Sequence, residues 1–372
     1  MKLRYKVLGG IAIVLVAAIV SLGLVLSHDS PCQAAPPLAA NTPSMKAVVY
    51  RCYGTPDVLK LEEIAKPTPV DDRVLVKVHA ASVNPLDWHY MQGKPYVMRA
   101  EAGVGKPDSI LMGADFAGTV ESVGKNVSRF KPGDEVFGDK GGAFGEYVSV
   151  RENGAIASKP HNMTMEQAAA VPVAGLTALQ ALRDKGKVQA GQRVLINGAS
   201  GGVGTFAVQI AKTYGAEVTG VCSTRNVEMV KSIGADHVID YTKEDFTQGS
   251  VRYDLIIDNI GNHTLSEYRH VLTPNGALVM VGGPSDNSWL GPLTTSVKAY
   301  FVAPFVSQKL IFMLADSNKD DLDVLRDLMQ AGKLTPVIDR RYPLAETAQA
   351  ISYLEQGHAK GKVIIAVDQS AP

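Results

Sequence analysis

Residues Gly191–Lys212 read G-Q-R-V-L-I-N-G-A-S-G-G-V-G-T-F-A-V-Q-I-A-K. The run Val194-Leu195-Ile196 is apolar and rich in β-branched side chains, as a buried parallel strand requires. Gly198, Gly201, Gly202 and Gly204 follow, with Ser200 and Val203 among them. Then comes a helical pattern with Phe206, Val208, Ile210 and Ala211 apolar. A glycine cluster set between strand and helix points to a pyrophosphate site. The glycines permit a tight turn and close backbone approach, and the helix N-terminus offers free N–H groups to the anion.

Val218–Cys222 supplies the next strand, and its end discriminates between dinucleotides. An NAD site carries an acidic residue about 20 residues beyond the glycines to hold the ribose diol. Here the strand runs into Ser223-Thr224-Arg225, and the first carboxylate is Glu228. Hydroxyls and a guanidinium suit a 2′-phosphate, to which Arg donates bidentate, charge-assisted bonds. The expected cofactor is NADP(H).

Outward from this motif, 372 residues suffice for two domains with separate cores. Lys+Arg and Asp+Glu balance at 37 each, and the absence of a basic cluster argues against a nucleic-acid partner. Cys32, Cys52 and Cys222 are widely scattered and give neither a disulfide framework nor a C-x-x-C metal pair.

At the N-terminus, Lys2, Arg4 and Lys6 precede Val7–Leu26, which holds no charge. A helix of ~20 residues rising ~1.5 Å each spans a ~30 Å hydrocarbon core, so a single-pass membrane anchor is expected within residues 1–30. A cleaved signal peptide is the alternative and would make the protein secreted. The positive-inside rule puts the globular part outside the cytoplasm. A need for NADPH argues the opposite side. Residues 31–44 read as a Pro/Ala linker without a core-forming pattern.

From Met45 the chain offers short strands at Lys46–Tyr50, Val58–Leu61, Arg73–Val83, Ala117–Val123, Glu135–Phe137 and Glu146–Val150, punctuated by Gly and Pro. Such spacing predicts a small β-barrel-like domain over 45–167. Over 168–318 the pattern changes to βαβ, with strands at Val194–Ile196, Val218–Cys222, His237–Ile239, Leu255–Ile257 and Ala277–Val281. That pattern predicts a doubly wound parallel sheet. The apolar stretch Ser288–Met313 reads as core, a dimer surface or a lid. Residues 319–372 contribute a helix at Asp321–Met329 and a last strand at Gly361–Ile365.

The run Gly191–Lys212 matches the long signature of the zeta-crystallin-like quinone oxidoreductases of the medium-chain dehydrogenase/reductase superfamily. The resemblance extends to V-Y-R-C-Y-G-T-P-D-V-L at the start and to A-S-V-N-P-L-D (Ala81–Asp87). G-A-D-F-A-G (Gly113–Gly118), G-A-D-H-V-I-D-Y (Gly234–Tyr241) and H-A-K-G-K (His358–Lys362) fit as well. It implies an α/β protein: a GroES-like catalytic domain interrupted by a Rossmann domain, with the cofactor in the cleft between them. Family chains start near Met45, so residues 1–44 resemble an added segment. By the same resemblance Tyr241 packs near the adenosine phosphate, Thr177 lies beside the nicotinamide, and Lys360 and Lys362 sit in a loop closing over the cofactor. Lys231 is a further phosphate candidate, and Gly282 a further cofactor-binding position. A homodimer is also implied.

Zinc-dependent relatives place a Cys where this chain has Asn84 and a His-Glu pair where it has Ala114-Asp115. A catalytic zinc needs three protein ligands of that chemistry, so no metal is expected. Without a Lewis acid, the fitting chemistry is hydride delivery to an activated acceptor, a quinone or an α,β-unsaturated carbonyl. The developing oxygen then needs only a hydrogen-bond donor and a proton. Candidates lie in Asn84–Tyr96: Asn84 as amide donor, Asp87 as orienting group, and Tyr96 or Tyr90 as proton donor. A protein that binds NADPH with little turnover, as a membrane-tethered sensor or scaffold, is the alternative.

Overall fold

The computed structural model describes residues 18, 20–283, 287–291 and 293–368. Two sheets organise it. The first is six-stranded and wholly parallel, in spatial order His237–Asp240, Glu217–Cys222, Arg193–Asn197, Tyr253–Asp258, Leu272–Met280 and Lys309–Phe312. In chain order this is 3-2-1-4-5-6, the dinucleotide-binding order. Its topological switch point falls between Arg193–Asn197 and Tyr253–Asp258, where such sheets open a crevice at the carboxyl ends of the strands. Strands with helices on both faces must be apolar throughout, and Val194, Leu195, Ile196, Leu255, Ile256 and Ile257 are all buried. Each such side chain contributes ~1.5–3 kcal/mol on leaving water.

The sixth strand corrects the sequence reading of 288–313 as one apolar stretch. That stretch divides into a turn, the helix Leu293–Val302 and the edge strand Lys309–Phe312. No period-2 pattern marks Lys309–Phe312 in the sequence, and its pairing with Leu272–Met280 decides it.

The second sheet has the order Ile338–Pro343, Lys362–Ala366, Arg73–Val83, Asp115–Val123, Glu135–Asp139 and Ile156–Ser158, with Tyr147–Arg151 also on Arg73–Val83. Strands from both ends of the chain share it, so the parallel-sheet unit is an insertion into the β-rich one. Val74, Val76, Val78, Phe116, Val136, Ile156, Val363 and Ile365 form its core. This is the α/β architecture with GroES-like and Rossmann domains that the resemblance implied.

At the N-terminus, residues 20–27 are helical. The expected span 7–26 lies mostly outside the described residues. No helix among the described residues is long and apolar enough to cross a membrane, so the single-pass anchor finds no support there. The cysteine reading is overturned: Cys32 and Cys52 form a disulfide, with Cα atoms 4.6 Å apart. Their 20-residue separation carried no local signal, because the chain reversal that joins them is tertiary.

Candidate functional site

The glycine turn follows Asn197 at the switch point. Gly198 has φ +78°, a left-handed conformation that penalises any Cβ. At Gly204 a Cβ would fall 2.1 Å from the Gly198 carbonyl oxygen, so the helix Gly202–Thr213 can start this close to the strand only with glycine there. Gly201 is different: a Cβ there would meet only one atom, at 3.5 Å, leaving open space over the turn. Open space above a glycine turn at a helix N-terminus is the cradle a pyrophosphate requires.

Beside it, Asn226 donates to Ser200 Oγ at 3.0 Å and to Ser223 Oγ at 3.3 Å, while its buried Oδ1 has no partner. A buried orphan acceptor at the rim of the cradle suits a ligand hydroxyl or amide. Sequence reasoning passed over Asn226, although it directly follows Ser223-Thr224-Arg225. Thr224 and Arg225 are exposed, and Arg225 donates to the His358 carbonyl oxygen at 2.8 Å. Thr224 donates to Asp240 at 2.6 Å, which together with the Thr242 bonds holds that carboxyl well below the usual range. Tyr241 is 60 % exposed next to it. Lys231 pairs with Glu228 at 3.1 Å on the solvent side of its helix. At the far side of the switch point, a Cβ on Gly282 would fall 2.2 Å from the Asn259 carbonyl oxygen, a second close approach. The residues present fit a dinucleotide.

The loop expected to close over the cofactor does reach the glycine turn. Gly361 pairs with Gly201, and its N–H donates to the Ser200 carbonyl oxygen at 2.8 Å. Lys360 is exposed, its N–H on Asp339. Lys362 is only 2 % exposed. Its stem passes the Gly202 position, and its ammonium donates to Asn84 Oδ1 at 2.5 Å and Asp115 Oδ2 at 3.1 Å.

Asp115 is the residue sequence reasoning weighed only as a missing zinc ligand. Wholly buried, it accepts from Ser82 Oγ at 2.8 Å, Asn84 Nδ2 at 2.9 Å, Lys362, and the Val173 N–H at 2.9 Å. Val173 opens the helix Pro172–Gln180, whose Thr177 hydroxyl bonds back to Val173 O at 2.7 Å. One carboxylate therefore ties the catalytic sheet, the loop Asn84–Asp87 and the linking helix together. A buried charge is stable there because four donors converge on it, three on Oδ2 and one on Oδ1, and one of them is an ammonium.

Asp87 accepts the Asn84 N–H at 2.7 Å at the start of the helix Pro85–Gln92, and burial pushes its carboxyl up to about 8. Asp139 sits opposite Asp115 in the sheet register and accepts from Ser317. Burial, and then the Asp115 charge, push it up to about 6. Asp87, Asp139 and Tyr90 line one cavity of about 540 Å³ with Tyr50, Leu86, Leu111 and Met112. Tyr96 does not line it. Its ring lies against the Arg99 guanidinium and edge-on to Trp289 at 5.1 Å. Asp139 and Arg99 had no sequence signal beyond residue type. Among the described residues no group of three or more His, Cys, Asp or Glu could hold a metal ion.

Comparison with known proteins agrees with this geometry. Residues 70–161 match the alcohol dehydrogenase GroES-like domain, and residues 233–365 the family described as zinc-binding dehydrogenase. The chain is 34 % identical over 365 residues to a mitochondrial NAD(P)H oxidoreductase of Mus musculus, covering 88 % of this chain and 91 % of that one. It is 35 % identical over 336 residues to a chloroplastic NADPH-dependent alkenal/one oxidoreductase of Arabidopsis thaliana, covering 86 % and 79 %. The solved quinone oxidoreductase of Coxiella burnetii superposes with TM-score 0.77 at 33 % identity, over 87 % of this chain and all of that one. The chain belongs to the medium-chain dehydrogenase/reductase superfamily, among its quinone oxidoreductase-like members.

Proposed function

We propose that this protein is an NADPH-dependent reductase of quinones and α,β-unsaturated carbonyls. The observation that carries the reading is the juxtaposition at Lys362. Its stem lies on the glycine cradle, while its ammonium orders Asn84 and Asp115 beside a cavity lined by raised carboxyls. NADPH, when bound, supplies the hydride.

The protein's own groups do the rest. Gly198, Ser200, Gly201, Gly202, Val203 and Gly204 hold the pyrophosphate. Ser223, Thr224 and Arg225, with Tyr241 alongside, hold the ribose phosphate, Lys231 acting at longer range. Thr177 borders the nicotinamide end, Lys360 and Lys362 belong to the loop that closes over the cofactor, and Gly282 is a further cofactor contact. Tyr90 faces the cavity and donates a hydrogen bond to the acceptor oxygen, and Asp139, protonated below about pH 6, is a nearby proton source. Asn84 spends both amide ends on Lys362 and Asp115, so it positions rather than donates. Asn84 and Ala114-Asp115 lack the ligand set of a catalytic zinc, so the acceptor must be activated by its own conjugation. A homodimer has a fitting edge in Lys309–Phe312, unpaired on its outer side among the described residues.

The test is NADPH oxidation by the purified protein with a quinone, an enone, a saturated aldehyde or no acceptor. A quinone- or enone-dependent rate insensitive to chelator is expected. NADPH binding without oxidation by any acceptor would overturn the reading and favour a binding or sensing role.

A further inference from the structure

The segment that precedes the family-like body is built into the catalytic domain. Arg99 is 1 % exposed, and all five of its N–H donors are engaged. Nε donates to the Gly93 carbonyl oxygen at 2.7 Å and Nη2 to that of Gln92 at 3.4 Å. The other three go to the N-terminal segment: Nη1 to the carbonyl oxygens of Leu26 at 3.1 Å and His28 at 3.0 Å, and Nη2 to Asp29 Oδ1 at 2.8 Å. The Leu26 and His28 carbonyls end the helix 20–27, where a cation complements the helix dipole. The guanidinium lies between the rings of Tyr53 at 4.3 Å and Tyr96 at 4.7 Å.

Two further contacts fix the same segment. The Ser30 N–H donates to the Gly105 carbonyl oxygen at 2.8 Å, and Cys32 is bonded to Cys52, one residue from Tyr53. Beyond Arg99, Tyr96 meets Trp289 edge-on, its N–H donates to the Ser288 carbonyl oxygen at 2.8 Å, and Gly23 packs against the Trp289 ring. The contact of residues 95–96 with 288–291 joins the catalytic domain to the parallel-sheet unit beside the helix Pro85–Gln92.

We propose that residues 26–32 are a thiol-latched strap: the Cys32–Cys52 disulfide holds them on Arg99, and Arg99, as a positioning residue, holds the Tyr96–Trp289 contact between the two domains. The segment's other holds are an ion pair to a largely exposed Asp29 and three backbone hydrogen bonds. Alone these must offset the ordering entropy of seven residues that build no core of their own. The disulfide lowers that cost by tethering Cys32 to the domain. Cys32 is exposed while Cys52 is buried, so an external thiolate attacks Cys32 Sγ and expels the Cys52 thiolate. A second low-molecular-weight thiol then resolves the mixed disulfide. Two thiols are oxidised to one external disulfide, and the two cysteines take up the two electrons and two protons.

The experiment uses the full chain, oxidised and after reduction with tris(2-carboxyethyl)phosphine, with Cys32→Ser/Cys52→Ser and Asp29→Asn alongside. Peptide mapping without reductant should find Cys32 and Cys52 linked. Hydrogen exchange over 93–105 should speed up about ten-fold on reduction, as local opening becomes easier. The double variant should start at the reduced value and ignore reductant, and Asp29→Asn should lie between with the disulfide intact. The kinetic arm rests on the reductase reading: KM for 1,2-naphthoquinone should rise about three-fold on reduction with kcat nearly unchanged. Unlinked cysteines, or equal exchange over 93–105 in oxidised and reduced protein, would overturn the proposal. Reduced wild type makes the same comparison without a mutation, should the double variant not fold. If no acceptor is turned over, the exchange arm still decides the strap, and only the reductase reading fails.

Discussion

Asp115→Asn tests the carboxylate that joins the two domains. The wild-type group receives four donors while wholly buried. An amide can keep its oxygen towards the Val173 N–H, but its NH₂ then faces Lys362 Nζ and Asn84 Nδ2, two donors against donors. Flipping Asn84 only moves the conflict, because its own NH₂ would then meet the Lys362 ammonium. The variant therefore loses at least two bonds and leaves a 3 %-exposed ammonium without its counter-charge. Breaking one partner of a buried pair costs about 3–5 kcal/mol. At roughly 2–4 °C per kcal/mol for a cooperative unit of 150–250 residues, that is a fall in Tm of roughly 6–20 °C. Thermal melts at pH 7 measure it, and Asp115→Asn/Lys362→Met supplies the control. Removing both charges should recover much of the loss, so the two single effects should not add. A single variant within ~1 kcal/mol of wild type, or strict additivity, would refute the reasoning.

Further outcomes follow from the same geometry. Arg225→Asp should shift the ratio of kcat/KM for NADPH over NADH by at least ~1.4 kcal/mol, a factor of ten; an unchanged ratio would remove Arg225 from the phosphate site. Gly204→Ala forces a Cβ onto the Gly198 carbonyl, so NADPH titration should show at least ten-fold weaker binding, and wild-type affinity would contradict the close approach. Asp139 carries a raised pKa, so its ionisation disfavours the folded state: the stability it allows is full below ~4 and is lost as pH rises through about 6. Asp139→Asn should then gain up to roughly 3 kcal/mol on wild type between pH 4 and pH 8, and a difference constant with pH would sink the assignment. Tyr90→Phe should lower kcat more than it raises KM, whereas Tyr96→Phe, which keeps the ring against Arg99 and Trp289, should leave both near wild type; a kcat loss in Tyr96→Phe instead would return the donor role to Tyr96.

The sequence by itself determined what local chemistry encodes. Val194–Ile196 with Gly198, Gly201, Gly202 and Gly204 needs no distant partner to be a strand, turn and helix start. Glycine's freedom at φ +78° and the apolar run are properties of adjacent residues. The place of Ser223-Thr224-Arg225 at the end of the second strand was legible for the same reason, as was the division into a β-rich part and a doubly wound parallel sheet from the change in period. The tertiary structure alone decided the rest, because those features join residues that are neighbours only in space. Asp115 and Lys362 are 247 positions apart, and nothing in the sequence links a residue at a missing zinc-ligand position to a lysine of the closing loop until the last strand pairs beside Arg73–Val83. Lys309–Phe312 becomes a strand only against Leu272–Met280, and Asp139 acquires its raised pKa only once the fold buries it and then sets it opposite the Asp115 charge. Cys32 was one of three scattered cysteines, and Asp29 and Arg99 carried no signal beyond residue type. Folding put all three on one strap, since a buried guanidinium with five donors requires acceptors from wherever the chain can bring them.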